Sequence, residues 1–444
     1  MLGRAASTVL SATPQKARMA YAERGSNPSS GRFYRIIIRR ASLSIQRLPN
    51  TAWRPWNLQI LPNKTTLEAM FTNGRAAAIN GALLTVFAAF ALASCAPKPF
   101  VIGVPLGLTG LNANVGVHGR NGIQLAAEEI NASGGVRGRP LKLMIEDDLD
   151  TPEGGLAAAK ALEGKGALAF VGHMSSASAS LSIGYLSARR LVLISPTVSS
   201  TDFSGLDDYF FRIIGPNDAQ GAALAAEALR RGYRTASIVY NSINRAYSLK
   251  VEEGFKKAFE AGGGRTFPPH AIDASSSYDF KALATLILNE NSDTVLCAAS
   301  AFDLSSLSQA LAATSASLPL LGSMWARTPD LMVFGGRTVD GIVLAAGGDS
   351  EGPNPELRRF VERYRERYGE EPVFSALYGY EAMRVLALAM AEARTLDGPG
   401  IKAALLARTT FPGIQGDIDF DRYGDTERPY FLFEVRAGRF VRIR

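Results

Sequence analysis

Two adjacent serines, Ser175 and Ser176, follow the apolar run ALAFVG and head a helical pattern. Where a strand hands over to a helix, the first helical N–H groups lack intrahelical partners. Hydroxyls and backbone donors are then offered together to an anion, a carboxylate above all. A serine at that place is also an ordinary helix cap, and the residues alone leave both readings open. His173 stands three residues before Ser176 and invites a base–nucleophile pair. Residues so spaced across a strand-to-helix turn rarely align, there is no G-x-S-x-G elbow, and no third, orienting group is identifiable. A serine hydrolase is therefore a remote alternative. Cys297 lies inside an apolar strand and reads as a core thiol. His118, His173 and His270 stand far apart with no ligand spacing, so neither a metal nor a cofactor is expected. Gly134-Gly135-Val136-Arg137-Gly138 lacks the Lys-Ser/Thr ending of a phosphate loop and reads as a helix-to-strand turn.

The chain has 444 residues and a formal charge of +7. Residues 1–69 carry eleven Lys and Arg against two Glu, which leaves −2 for the remainder and gives no electrostatic footprint for nucleic acid. From Met70 the sequence has an early Arg75, an apolar run over 81–93 and then Leu92-Ala93-Ser94-Cys95. This is a signal-peptide pattern over residues 70–94 whose end resembles a bacterial lipobox, which implies cleavage before Cys95 and lipidation of its sulfur. An uncleaved anchor helix is the alternative; both place the rest outside the cytoplasm. Residues 1–69 read as a non-native or disordered extension upstream of a start at Met70. Arg39-Arg40 is not followed by the apolar run that a twin-arginine signal needs.

Beyond Cys95, short apolar runs alternate with amphipathic patterns. FVIGVPL, LKLMIED, ALAFVG and LVLIS are separated by helices at about 119–131, 152–163 and after Ser176. Such alternation predicts a parallel sheet covered on both faces. A second series follows: a helix capped by Asp218, TASIVY, helices near 246–260 and 279–288, TVLCAA, a helix over 303–313, and LPLLG. Leu357, Phe360, Val361, Tyr364 and Tyr368 form one later apolar stripe, with Pro355 near its first turn.

The segment IGVPLGLTGLNANVGVHGRNGIQLAAEEINASGGVRGRPLKLMIEDD, residues 102–148, resembles the opening of the leucine/isoleucine/valine-binding proteins of ABC importers. VGHMSS, LISPTVSS, FKKAFEAGGG and GDIDFDRYGD continue the resemblance in order along residues 99–444. It implies a type I periplasmic-binding fold: α/β, with two Rossmann-like lobes of parallel sheet joined by a three-strand hinge. Lobe I is expected from residues 99–217 plus 346–412, and lobe II from 218–345 plus 413–444. The family's carboxylate-binding serine falls on Ser176, beside Ser175. The positions that hold an amino acid's charged ends fall on Thr197 and Ser199, in what is otherwise a Ser/Thr-rich loop. Tyr247 matches a tyrosine that closes over the ligand, although Ser248 replaces the following glycine.

Two departures from the family pattern matter. Ala299-Ser300 stands where a Gly-Tyr pair is usual, and Ser300 remains a ligand-binding candidate. The acid that many members place opposite the substrate ammonium is absent, the local sequence being Leu321-Gly322-Ser323-Met324-Trp325. A buried ammonium without a partner is costly, so either another acid such as Asp303 supplies the charge or the ligand has no free amine. Trp325 either lines an apolar side of the site or covers the hinge as core. The resemblance thus implies a lipid-anchored protein on the periplasmic or cell-surface side. It would capture a small amino acid or related carboxylate by hinge closure and deliver it to an ABC transporter permease. The alternative is a sensor for amides, ureas or aromatic acids.

Overall fold

A computed structural model describes residues 97–443 apart from 111–112, 274–277 and 316. The signal peptide, the lipidation at Cys95 and the basic extension expected from the sequence lie outside the described residues. The first sheet contains β1 (Phe100–Leu106), β2 (Leu141–Asp147), β3 (Ala169–Val171), β4 (Leu193–Ser195) and β5 (Phe210–Arg212) in the order β2-β1-β3-β4-β5, all parallel. Helices α1 (Ala113–Ala132), α2 (Pro152–Gly164) and α3 (Ser176–Ala188) form the crossovers. Local chemistry fixes their starts: Thr151 caps α2 through its hydroxyl to the Gly154 N–H, with Pro152 in the first turn.

After β5 the chain enters a second sheet through α4 (Asn217–Arg230), β6 (Thr235–Asn241) and α5 (Arg245–Ala261). There follow β7 (Arg265–Thr266), β8 (His270–Ile272), α6 (Phe280–Asn289), β9 (Thr294–Ala298), α7 (Ala301–Ala312), β10 (Leu320–Gly322), α8 (Asp330–Gly335) and β11 (Val343–Ala346). The chain then returns to the first core with α9 (Pro355–Tyr368), α10 (Phe374–Glu392) and α11 (Gly398–Ala407), whose Leu357, Phe360, Leu377, Leu386 and Ile401 pack with Ile102 and Val104 of β1. It ends in the second sheet with β12 (Phe431–Arg436) and β13 (Arg439–Arg442).

The α/β class with parallel sheets is as the sequence predicts, with two local corrections. The second sheet, β13-β12-β11-β10-β9-β6-β7, has an antiparallel edge, because β12 and β13 arrive from the far end of the chain and not through a crossover helix. Asp218 does not cap α4: Pro216 occupies the cap position without a side-chain bond, and Asp218 lies in the first turn.

Two glycines let α1 approach closely. A Cβ on Gly116 would fall 1.8 Å from the Gly107 carbonyl oxygen, and one on Gly122 would fall 2.0 Å from that of Ala376 on α10. The first approach holds the start of α1 over the end of β1, which is where ligands gather in such sheets.

Candidate ligand-binding cleft

Each sheet has a point at which strand order reverses, between β1 and β3 in the first and between β6 and β9 in the second. Loops diverge there and leave a crevice at the carboxyl ends of the strands. The loops from both points line one pocket with a cavity of about 40 Å³. The first sheet supplies Gly107, Asp150, Met174, Ser175, Ser176 and Thr197, and the second supplies Asn244, Tyr247, Met324 and Trp325. Val115 and Phe374, from the starts of α1 and α10, complete the apolar part of the wall.

Acidic residues at the end of β2 hold the floor. Asp147 accepts from the Leu108 N–H at 2.9 Å, tying the loop after β1 to the loop after β2. Asp148, fully buried, accepts at 2.6 Å from His173 Nδ1, and His173 Nε2 lies 2.7 Å from Ser182 Oγ. His173 therefore does have an orienting carboxylate, and the hydroxyl it meets is Ser182 and not Ser176. The neighbour across the sheet was invisible at sequence separations of 25 and 9. All three side chains are sealed from solvent, so this array braces the floor and offers no nucleophile. Burial likewise pushes the Cys297 thiol well up from its ordinary value, as expected of a core cysteine.

The two serines divide their work. Ser175 is the cap of α3, its Oγ accepting from the Ser178 N–H at 3.1 Å. Ser176 is the first helical residue, and its Oγ accepts from the Ser200 N–H at 3.3 Å. As an acceptor there, Ser176 keeps its own O–H to give to a ligand. Thr197 lines the pocket but donates its hydroxyl to the Met174 carbonyl at 2.7 Å. Ser199 does not line the pocket; it is buried under the passage to α4, where its carbonyl accepts from the Asn217 N–H.

On the second sheet, the Tyr247 hydroxyl donates to Gln220 Oε1 at 2.9 Å, and the same oxygen accepts from the Met324 N–H at 2.6 Å. The Tyr247 ring meets Trp325 edge-on at 5.9 Å. Burial pushes its phenol up to about 12, so it is a neutral wall at any working pH. Trp325 both lines the cleft and packs in a buried cluster with Val251 and Ala298. Ser300 lies in an adjoining smaller space and is the cap of α7, where it forms a reciprocal box with Asp303.

Asp303 does not replace the missing acid. It is buried, accepts from Asn241 Nδ2 at 3.0 Å and from Ser300 Oγ at 2.9 Å, and is absent from the pocket lining. The carboxylate that does line the pocket is Asp150, on the first sheet's side. Sequence reasoning missed Asp150, Asn244, Met174 and Phe374. The available signal for Asp150 was its place just past the end of a strand; Phe374 carried none, because α10 returns to the first sheet only after β6 to β11 of the second have been made.

Two α/β units whose strand ends close around one small, mostly apolar pocket with a helix amino end at its edge define a solute-binding protein of the type I periplasmic fold. Residues 99–439 match the model of the periplasmic binding protein family, and the chain belongs to that family, which binds solutes and is not an enzyme family. The Leu/Ile/Val-binding protein BraC3 of Rhizobium johnstonii is 26% identical over 80% of this chain and 97% of its own length. A leucine-binding protein, LivK, from Thermotoga maritima superposes with a TM-score of 0.72 at 24% identity, covering 78% of this chain and 97% of its own. A solute-binding protein of an ABC transporter from R. palustris, solved with benzoate, gives 0.70 at 21% identity over 78% and 95%. No helix among the described residues is long and apolar enough to cross a membrane.

Proposed function

We propose that the protein captures a small amino acid or related carboxylate and delivers it to an ABC importer. Its carboxylate lies at the amino end of α3, against Ser175, Ser176 and Thr197. Its side chain faces Tyr247, Trp325, Met324 and Phe374. The observation that carries this reading is the pairing of a donor edge on one sheet with an aromatic wall on the other, around a single pocket. The Ser176 N–H and hydroxyl in the first turn of α3 offer donors to an anion, and Asp150 is the carboxylate residue in the lining.

The lobes move as units 99–217 plus 346–412 and 218–345 plus 413–444, and closure over the ligand is the signal to the permease. Lipid on Cys95 holds the protein at the periplasmic or outer face of a membrane near that permease. The aromatic wall and the benzoate-bound relative support a second ligand class, aromatic acids, for the same pocket.

The test is a thermal-shift screen of the purified protein over L-amino acids, keto and hydroxy acids, aromatic acids and short amides. A carboxylate that raises Tm, with the rise lost in Ser176→Ala, supports the reading. Response only to uncharged amides or ureas would sink it in favour of a sensor for such ligands.

A further inference from the structure

A smaller cavity of about 10 Å³, room for one water-sized group such as an ammonium, adjoins the main cleft and shares Val115 and Trp325 with it. It is closed by Asn114 at the start of α1, on the first sheet's side, and by Phe302, Asp330 and Phe334 on the second. Asn114 Nδ2 donates to Asp330 Oδ2 at 2.8 Å. A carboxylate only accepts, so this bond fixes which way the amide faces. The other end, Asn114 Oδ1, is a buried acceptor with no partner among the described residues. A buried carbonyl left unpaired is costly, and its presence beside a cavity calls for a donor. Around this pair of acceptors stand aromatic rings: Trp325, and Phe302 with Phe334 edge-to-face at 5.8 Å. Two acceptors, one of them anionic, in a space lined by aromatic rings suit a primary ammonium, which brings three N–H donors and a charge.

The main cleft has the opposite chemistry at the amino end of α3, and Met324 leaves the second sheet without an acid at the usual place for an α-ammonium. We infer that the ligand is an ω-amino carboxylate, its carboxylate at α3 and its distal ammonium held in the smaller space by Asn114 Oδ1 and Asp330. This rests on the carboxylate reading of the main cleft and names the ligand's other end. Because Asn114 and Asp330 belong to opposite sides of the cleft, the distal group completes a contact that forms only when the two sides are together. Chain length is thereby selected as well as charge.

Calorimetric titration of the full protein with matched pairs tests this: butanoate and 4-aminobutanoate, pentanoate and 5-aminopentanoate, 4-methylbenzoate and 4-(aminomethyl)benzoate, with L-leucine alongside. One amine-bearing acid is expected to bind about tenfold or more tightly than its amine-free partner. Asp330→Asn, which can keep the bond to Asn114, is expected to erase that preference while leaving the amine-free acid within about threefold. Asn114→Ala, as a second variant, is expected to reduce the preference too. If amine-free acids or leucine bind and no ω-amine improves on them, or if the preference survives Asp330→Asn, the distal-ammonium site is overturned and the carboxylate reading stands. If no carboxylate of either kind binds, both are overturned.

Discussion

The side-chain oxygen of Asn244 accepts from the Ala177 N–H at 3.1 Å, joining the loop after β6 to the first turn of α3 across the cleft. One of the donors at the amino end of that helix is thus met by the opposite sheet and the Ser178 N–H by Ser175 Oγ, which leaves the Ser176 N–H and hydroxyl for the ligand's carboxylate. Asn244→Ala removes this bridge. Loss of a bond worth about 1 kcal/mol is expected to raise the ligand's dissociation rate by roughly fivefold. Stopped-flow fluorescence of Trp325, in the wall beside it, measures this, and an unchanged rate would show that the bridge does not hold the closed form.

Gln220 serves two pocket residues with one oxygen, accepting from Tyr247 and from the Met324 N–H. Gln220→Leu strands both donors in a buried place, and the expected destabilisation is about 2–4 kcal/mol. Tyr247→Phe removes one donor only and is expected to cost about 1 kcal/mol. Adding Tyr247→Phe to Gln220→Leu is expected to cost less than the sum, because one stranded hydroxyl disappears. Urea titration of the four proteins reads the cycle, and strict additivity would refute the shared oxygen.

Glu381 on α10 and Arg428 before β12 form a buried pair at 2.6 Å. Glu381 Oε1 also accepts from the Gln415 N–H at 3.0 Å, and Arg428 donates to the Ile213 carbonyl at 3.1 Å. The pair therefore ties α10 to the chain at Ile213, Gln415 and Arg428, close to the passages between the sheets. Glu381→Ala leaves a buried guanidinium without its partner and is expected to cost about 3–5 kcal/mol. The midpoint of urea unfolding gives the answer; a loss under about 1 kcal/mol would mean that the arginine finds another acceptor.

Burial pushes the Asp208 carboxyl from 3.8 up to about 6, against the pull of the Phe210 N–H and Lys402. A folded pKa above the unfolded one means that the folded state keeps its proton longer. The stabilisation is full below pH 3.8 and is lost as pH rises through 6. Asp208→Asn, which cannot ionise, is expected to gain on the parent protein by about 1 kcal/mol between pH 4 and 7.5, the screened share of that shift for a partly exposed group. Melting temperatures at the two pH values test the sign. A gain at pH 4 that vanishes at 7.5 would reverse it.

Much of the fold was legible because its signals are local. FVIGVPL and LKLMIED are apolar runs long enough to be buried strands, and Leu357, Phe360, Val361 and Tyr364 do face the core at helical spacing. The strand-to-helix junction at Ser175 and Ser176 was equally local, since a cap and its helix are a few residues apart. Even so, the sequence left the cap and the first helical residue undivided; the structure assigns the cap to Ser175 and leaves Ser176 its proton.

By itself the sequence determined many of the strands and helices, because hydrophobic period and capping chemistry act over one or two turns; α10, α11, β12 and β13 were not read from it. It also determined the absence of an acid at Met324. Only the tertiary structure decided which side chains meet across the cleft. Asp303 lies at a helix start where a free carboxylate was a fair expectation, yet Asn241 and Ser300 consume it. Asp150, Asn244 and Phe374 reach one pocket from positions 94 and 130 residues apart along the chain. Such meetings depend on where the strand order reverses and on how two separately wound sheets face each other, and no period or spacing within one segment encodes either.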